Sequence, residues 1–246
     1  MPMTNNTLII GASGGIGRAL VRKFSERGDT VFTVDRKRGH SEKHTEDADN
    51  IHSYHIASHS DTEISALVAN FKDADININN VVIALGMLHN HDADIHPEKR
   101  MEEVSEQSLS VYFAVNSIIP MLWLKHLINI IDRKQATIVC LSARVGSISD
   151  NGLGGWYGYR ASKAALNMLV KTASVEYRRR VKDSVLVCYH PGTVDTALSK
   201  PFQKNVAAEK LFTADFTASQ LITHLPKLDR EQACHFIDWR GEVVTW

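Results

Sequence analysis

Tyr159 and Lys163 stand four residues apart in Tyr159-Arg160-Ala161-Ser162-Lys163. A helix brings such a pair to one face, one turn apart. An ammonium beside a phenol favours the phenolate and draws its pKa down from about 10. A phenol tuned in this way can give a proton to a carbonyl oxygen or take one from an alcohol. Tyr157 has Ala161 four residues on and lacks such a cationic partner. Far upstream, Gly11-Ala12-Ser13-Gly14-Gly15-Ile16-Gly17 follows the apolar run Thr7–Ile10 and opens a helical pattern. A strand that turns through glycines into a helix presents free N–H groups to an anion, and the missing side chains let the backbone reach a pyrophosphate. Asp35 closes the next apolar run, about 20 residues beyond the glycines, where a carboxylate can accept hydrogen bonds from ribose hydroxyls. It repels a ribose 2′-phosphate, whereas Arg36 beside it attracts one.

These groups need a scaffold, and the chain carries the pattern of one. Strands are predicted at Thr7–Ile10, Thr30–Val34, Ile51–Ile56, Asn80–Leu85, Ala136–Leu141, Ser184–Tyr189 and Phe236–Trp239. Helices are predicted at Gly17–Arg27, Asp61–Phe71, Ser105–Ile131 with a kink at Pro120, Gly158–Val181 and Thr217–His224. The alternation predicts an α/β fold: a Rossmann-type doubly wound parallel sheet with helices on both faces. Arg36–Asn50, charged and rich in histidine, reads as a surface loop. No linker divides the chain, so residues 1–246 read as a single domain.

Lys plus Arg and Asp plus Glu both number 28, which removes any electrostatic reason to expect nucleic acid or an anionic membrane as partner. No run of about 18 apolar residues is present to span a bilayer, and Met1–Asn6 lacks the pattern of a signal peptide. Three cysteines, an odd and sparse number, suit a reducing compartment, and the expected location is cytoplasmic. His89, His91, Asp92, Asp94 and His96 form one cluster and His52, His55 and His59 another. Such clusters can bind zinc, but their polar loop setting predicts a solvated segment and no metal.

The spacing Gly11-x-x-x-Gly15-x-Gly17 and the stretch Trp156–Asn167 resemble the short-chain dehydrogenase/reductase family. Gly146–Tyr157 resembles its carbonyl-reductase, C-factor-like branch, and the likeness runs from about Thr7 to Thr196. The resemblance implies an oxidoreductase that moves a hydride between a nicotinamide and a carbonyl or alcohol substrate, an aldehyde or ketone. It implies a cofactor, NAD or NADP, held by Gly11, Ser13, Gly15, Ile16, Gly17, Asp35, Arg36, Gly86, Tyr159, Lys163, Pro191, Gly192, Val194 and Thr196. An Asp at position 35 goes with NAD in that family and a basic residue after it with NADP; NAD is slightly favoured. Tyr159, Lys163 and Asn116 match its catalytic positions, with Asn116 ordering the lysine and a water chain.

Three positions depart from the family. Ile83-Ala84-Leu85-Gly86 lacks two amides, Ser58 replaces an acidic residue, and Ala143 stands where the catalytic serine belongs. Ser147 is the expected substitute, ahead of Ser142, because alternation along a strand turns Ser142 away from the face of Ala143. The lost serine leaves an alternative: a dinucleotide-binding signalling or regulatory protein of the same fold with little turnover. The two longest helices resemble the family's dimer-forming pair, which implies a homodimer or homotetramer.

Overall fold

Side chains in Leu8–Ile10, Val81–Ile83 and Ala136–Leu141 are all buried, which requires a sheet covered on both faces. The computed structural model describes residues 5–36 and 48–246. Its sheet contains β1 (Asn6–Ile10), β2 (Thr30–Asp35), β3 (Ile51–His55), β4 (Asn80–Ile83), β5 (Ala136–Leu141), β6 (Ser184–His190) and β9 (Cys234–Asp238). They run parallel in the order β3-β2-β1-β4-β5-β6-β9. The chain starts at the centre, works outward to β3, then crosses back to β4. That reversal splays the connections apart and opens a crevice beyond the carboxyl ends of β1 and β4. A small parallel pair, β7 (Thr193–Val194) with β8 (Leu211–Phe212), lies outside the main sheet.

Helices α1 (Gly15–Glu26) and α6 (Ala214–His224) close one face, where Leu20, Phe24, Ala218 and Leu221 meet Ile9, Val82, Val139 and Val187. On the other face lie α2 (Asp61–Asp73), α4 (Ile119–Leu127) and α5 (Tyr157–Arg180). Their Phe71, Trp123, Leu127, Leu166 and Tyr177 pack on Leu8, Ile83, Ile138 and Leu186. The three cysteines are free and buried in this sheet.

The fold class and the order of elements agree with the sequence reading; boundaries shift where local chemistry sets them. Helix α6 starts three residues before the expected Thr217 because Thr213 caps it, accepting a hydrogen bond from the Phe216 N–H at 3.1 Å. The expected helix Ser105–Ile131 runs instead as α3 (Glu106–Phe113), a π-turn at Ala114–Ile118, and α4, ending at Leu127. Pro120 has no N–H for the Asn116 carbonyl, and its ring crowds that group. A widened turn directly before a proline relieves both problems. By length and composition this helix could cross a membrane, yet Asn116, Ser117, Trp123, Leu124 and Leu127 are buried against the protein's own core. Of the expected loop Arg36–Asn50, residues 37–47 lie outside the described residues.

Candidate active site

The carboxyl ends of β1, β4, β5 and β6 open onto a cleft of about 450 Å³. Its floor on one side is the glycine loop. A Cβ on Gly17 would lie 2.1 Å from the Gly11 carbonyl oxygen, and Gly11 itself sits at φ +86°; neither position admits a side chain. Helix α1 begins at Gly15 without a side-chain cap and without an acidic residue in its first turn. Among the described residues the N–H groups of Gly15, Ile16 and Gly17 have no protein acceptor, and Gly14, Gly15, Ile16 and Gly17 line the cleft. That is an anion site built from backbone and helix dipole, and it fits the pyrophosphate of a dinucleotide. Thr196 closes over it, its Cγ2 2.6 Å from where a Gly15 Cβ would be.

Asp35 is 5% exposed, and its carboxylate accepts the Ser13 N–H at 2.7 Å. The acidic residue thus holds the glycine loop to the end of β2. Arg36 is exposed, and neither it nor Asp35, Gly11 or Ser13 is in the cleft lining. Gly86, Pro191, Gly192 and Val194 do line it, together with Tyr159 and Lys163.

Tyr159 and Lys163 project from the first two turns of α5. The lysine is 3% exposed, its Nζ donates to the Leu141 carbonyl at 2.8 Å, and it lies 6.0 Å from the centre of the Tyr159 ring. Burial lowers Lys163 from 10.5 to about 8. Burial also raises Tyr159 above its ordinary 10.0. The expected depression of the phenol is reversed: dehydration of the hydroxyl outweighs the ammonium one turn away, and Tyr159 is a neutral phenol at neutral pH. Among the described residues its hydroxyl makes no hydrogen bond.

Asn116 is fully buried on the π-turn. Its Oδ1 accepts the Met87 N–H at 2.8 Å, and its Nδ2 donates to the Met87 carbonyl at 3.0 Å and to Ser162 Oγ at 3.1 Å. It acts on the backbone that follows Gly86 and on α5, not directly on Lys163. A Cβ on Gly86 would lie 3.4 Å from Lys163 Nζ and 3.5 Å from Asn116 Oδ1, so a glycine lets both approach this edge of the cleft.

Of the two serines expected to replace the missing hydroxyl, Ser142 lines the cleft but has its hydroxyl engaged elsewhere, and Ser147 is not in the lining. Ser142 donates to Asn167 Oδ1 at 2.6 Å in the interior. Ser147 is buried, accepts the Asp150 N–H at 3.2 Å, and lies 3.4 Å from Thr245 Oγ1. The 3-10 turn Arg144–Gly146 carries it past the cleft mouth to the C-terminal segment, and it is not in the lining. Ala143 faces the cleft in the same apolar cluster as Tyr159. Trp156, Leu198, Phe202 and Val206 form the outer wall, where Trp156 stands edge-on to Tyr159 and Phe202 at 6.1 and 5.4 Å.

Sequence reasoning missed His190, which lines the cleft just before Pro191. Burial lowers it to about 4, so it is a neutral imidazole. The signal was its place beside the Pro-Gly segment. Of the histidine clusters, His91 packs tilted against His89 and edge-on to His96, with ring centroids 5.2 and 5.3 Å apart, and His89 Nε2 contacts the Ala197 carbonyl at 3.2 Å. Among the described residues no group of His, Cys, Asp and Glu is arranged to hold a metal ion. His59 accepts the Trp123 indole N–H, and Ser58 is bonded to Glu63.

Known proteins are similar to this chain to different depths. The C-signal protein of Myxococcus xanthus is 33% identical over 106 residues, covering 43% of this chain and 58% of that protein. The 1-hydroxy-2-glutathionyl-2-methyl-3-butene dehydrogenase of Rhodococcus sp. is 25% identical over 98% of this chain and 100% of its own. An NADPH-bound carbonyl reductase from chicken fatty liver superposes with a TM-score of 0.85 at 23% identity over 99% of each chain. The family model for short chain dehydrogenases matches residues 5–207. The chain therefore belongs to the short-chain dehydrogenase family and is an oxidoreductase acting on CH–OH and carbonyl groups with NAD(P).

Proposed function

We propose that this enzyme reduces an uncharged aldehyde or ketone with an apolar flank at neutral pH, and that it prefers NAD to NADP. The observation that carries the reading is Tyr159: a neutral hydroxyl without a partner among the described residues, set in a wall of Leu88, Ala143, Val145, Trp156, Leu198, Phe202 and Val206. A phenol held protonated suits proton donation, hence the direction of reduction. The apolar wall offers no counter-ion for a carboxylate or phosphate on the substrate.

Tyr159 Oη gives its proton to the carbonyl oxygen as negative charge gathers there. Lys163 Nζ, positively charged below about 8, favours the phenolate that remains. The nicotinamide, when bound, supplies the hydride. The glycine loop and Thr196 hold its pyrophosphate, and Asn116 keeps the Gly86–Met87 backbone and α5 in register. A screen of neutral aryl and alkyl ketones beside their carboxylate analogues tests the reading. Turnover confined to the charged analogues would overturn it.

The preference for NAD rests on Asp35, whose carboxylate is fixed at the Ser13 N–H and repels a 2′-phosphate. Wild type is expected to bind NADH about tenfold more tightly than NADPH in a fluorescence titration. Asp35→Ala should narrow or invert that ratio, leaving Arg36 to attract the phosphate. Tighter binding of NADPH by wild type would show that Arg36 dominates.

Ala143 makes a second expectation. A hydroxyl beside the tyrosine stabilises an oxyanion, and such donors are worth roughly 10²–10³ in rate when preorganised. Ala143→Ser, without a supporting shell, should raise kcat on the best ketone by about tenfold. An unchanged or lower kcat would mean that the carbonyl oxygen does not lie beside this position.

A further inference from the structure

The proton donor sits one residue after Gly158, in the first turn of α5, so whatever fixes that turn fixes Tyr159. Helices need acceptors for their first N–H groups, and α5 starts poorly. Its cap residue is Trp156, which offers no side-chain acceptor and sits in the left-handed region at φ 52°. The acceptor comes from elsewhere in the chain. Glu98, in the segment between β4 and α3, is 2% exposed. Its Oε2 accepts the Gly158 N–H at 3.1 Å, and its backbone carbonyl accepts the Trp156 N–H at 2.5 Å.

A carboxylate is expensive to bury and is retained where hydrogen bonds and a helix N-terminus compensate it. Here the compensation is incomplete, because among the described residues Oε1 has no hydrogen-bond partner. The surroundings leave little slack. A Cβ on Gly158 would lie 2.4 Å from the Tyr112 ring and 2.9 Å from Glu98 Oε1. Tyr112 is itself tied by its hydroxyl to the Leu88 carbonyl at 2.7 Å and stands edge-on to Tyr159, with centroids 6.3 Å apart. Glu98 and Tyr112 thus both pack against the helix start at Gly158.

We infer that Glu98 is a positioning residue: its buried carboxylate holds the first turn of α5 and so sets where the Tyr159 hydroxyl meets the substrate. The inference rests on the reading of Tyr159 as proton donor. What matters is reach, since an oxygen must lie at the Gly158 N–H. Glu98→Asp keeps the charge but withdraws the oxygen by one methylene. Glu98→Gln keeps an oxygen in place and removes the charge.

Both variants are assayed for kcat on the best ketone, for NADH affinity and for amide hydrogen exchange. A small displacement of a reacting group can reduce rate by about 10²-fold. Glu98→Asp is expected to lower kcat by about 10- to 100-fold, with NADH affinity within about twofold of wild type. Exchange should rise at residues 156–160 and stay unchanged in the central strands. Glu98→Gln should keep kcat within about threefold of wild type. The reverse pattern, with Gln impaired and Asp intact, overturns the inference and assigns the effect to charge. Faster exchange at 156–160 with unchanged kcat in Glu98→Asp also overturns it, as does equal loss of kcat and NADH affinity in both variants. Tyr159→Phe assayed alongside separates the two failures. Turnover kept there removes the reading of Tyr159; turnover lost there but kept in both Glu98 variants removes only the role of Glu98.

Discussion

Tyr159→Phe is expected to lower kcat by about 10²–10⁴-fold, the range that a positioned general acid contributes. Affinity for NADH should stay within about twofold of wild type, since the change removes one hydroxyl and leaves the ring against Tyr112 and Trp156. No other side chain in the apolar cluster around Tyr159 is placed to take over. Ser142 is bonded to Asn167, Ser147 lies outside the cleft lining, and the Tyr112 hydroxyl is committed to the Leu88 carbonyl. Burial keeps the phenol protonated through neutral pH, so the proton-donating form persists there in the free enzyme. Steady-state kinetics on the best carbonyl decides the matter: kcat within twofold of wild type would remove Tyr159 from the chemistry.

Lys163→Met should abolish most turnover and at the same time stabilise the protein without bound cofactor. The stability effect follows from the buried ammonium. Its pKa is about 8 in the folded chain against an ordinary 10.5. The unfolded chain thus holds this proton more tightly than the folded one. The charged lysine opposes folding fully at pH values below the folded pKa, and the opposition fades as pH rises from about 8 to 10.5. At pH 7 the relief is worth up to about 3 kcal/mol by the size of the shift. Leaving the Leu141 carbonyl without its donor returns about 1–2 kcal/mol of that. The balance, about 1–2 kcal/mol, corresponds to a rise of a few degrees in Tm for a chain of this length. Methionine suits the test because it is unbranched and apolar and fills irregular space. Thermal melts at pH 7 and across the range from 8 to 10.5 read the result. A lower Tm at pH 7 in the variant, or the same rise with pH in both proteins, would contradict it. A lysine kept at a cost to folding is what a catalytic demand on this position produces.

Local spacing decided a good deal about this protein. Strands and helices alternate in the residues themselves, because a strand buried on both faces must be apolar throughout and a helix must show its period. The glycines of Gly11–Gly17 are legible for the same reason: backbone geometry forbids other residues there. Tyr159 and Lys163 pair across one helical turn, so their meeting needs no long-range contact. Side-chain direction and dehydration are different matters. The phenol rises where spacing alone suggests that it falls, because burial is a property of the surrounding elements, β5, α3 and the Trp156 wall. Ser147 follows Ala143 by four residues, but a 3-10 turn carries it to the C-terminal segment instead of the cleft. Glu98 sits in the charged run Pro97–Glu103, and no local spacing pairs it with a helix start 60 residues on, where the fold lays it. Sequence determined which groups are available and which backbone must be bare; only the tertiary structure decided which of them lose water, and with that which can do chemistry.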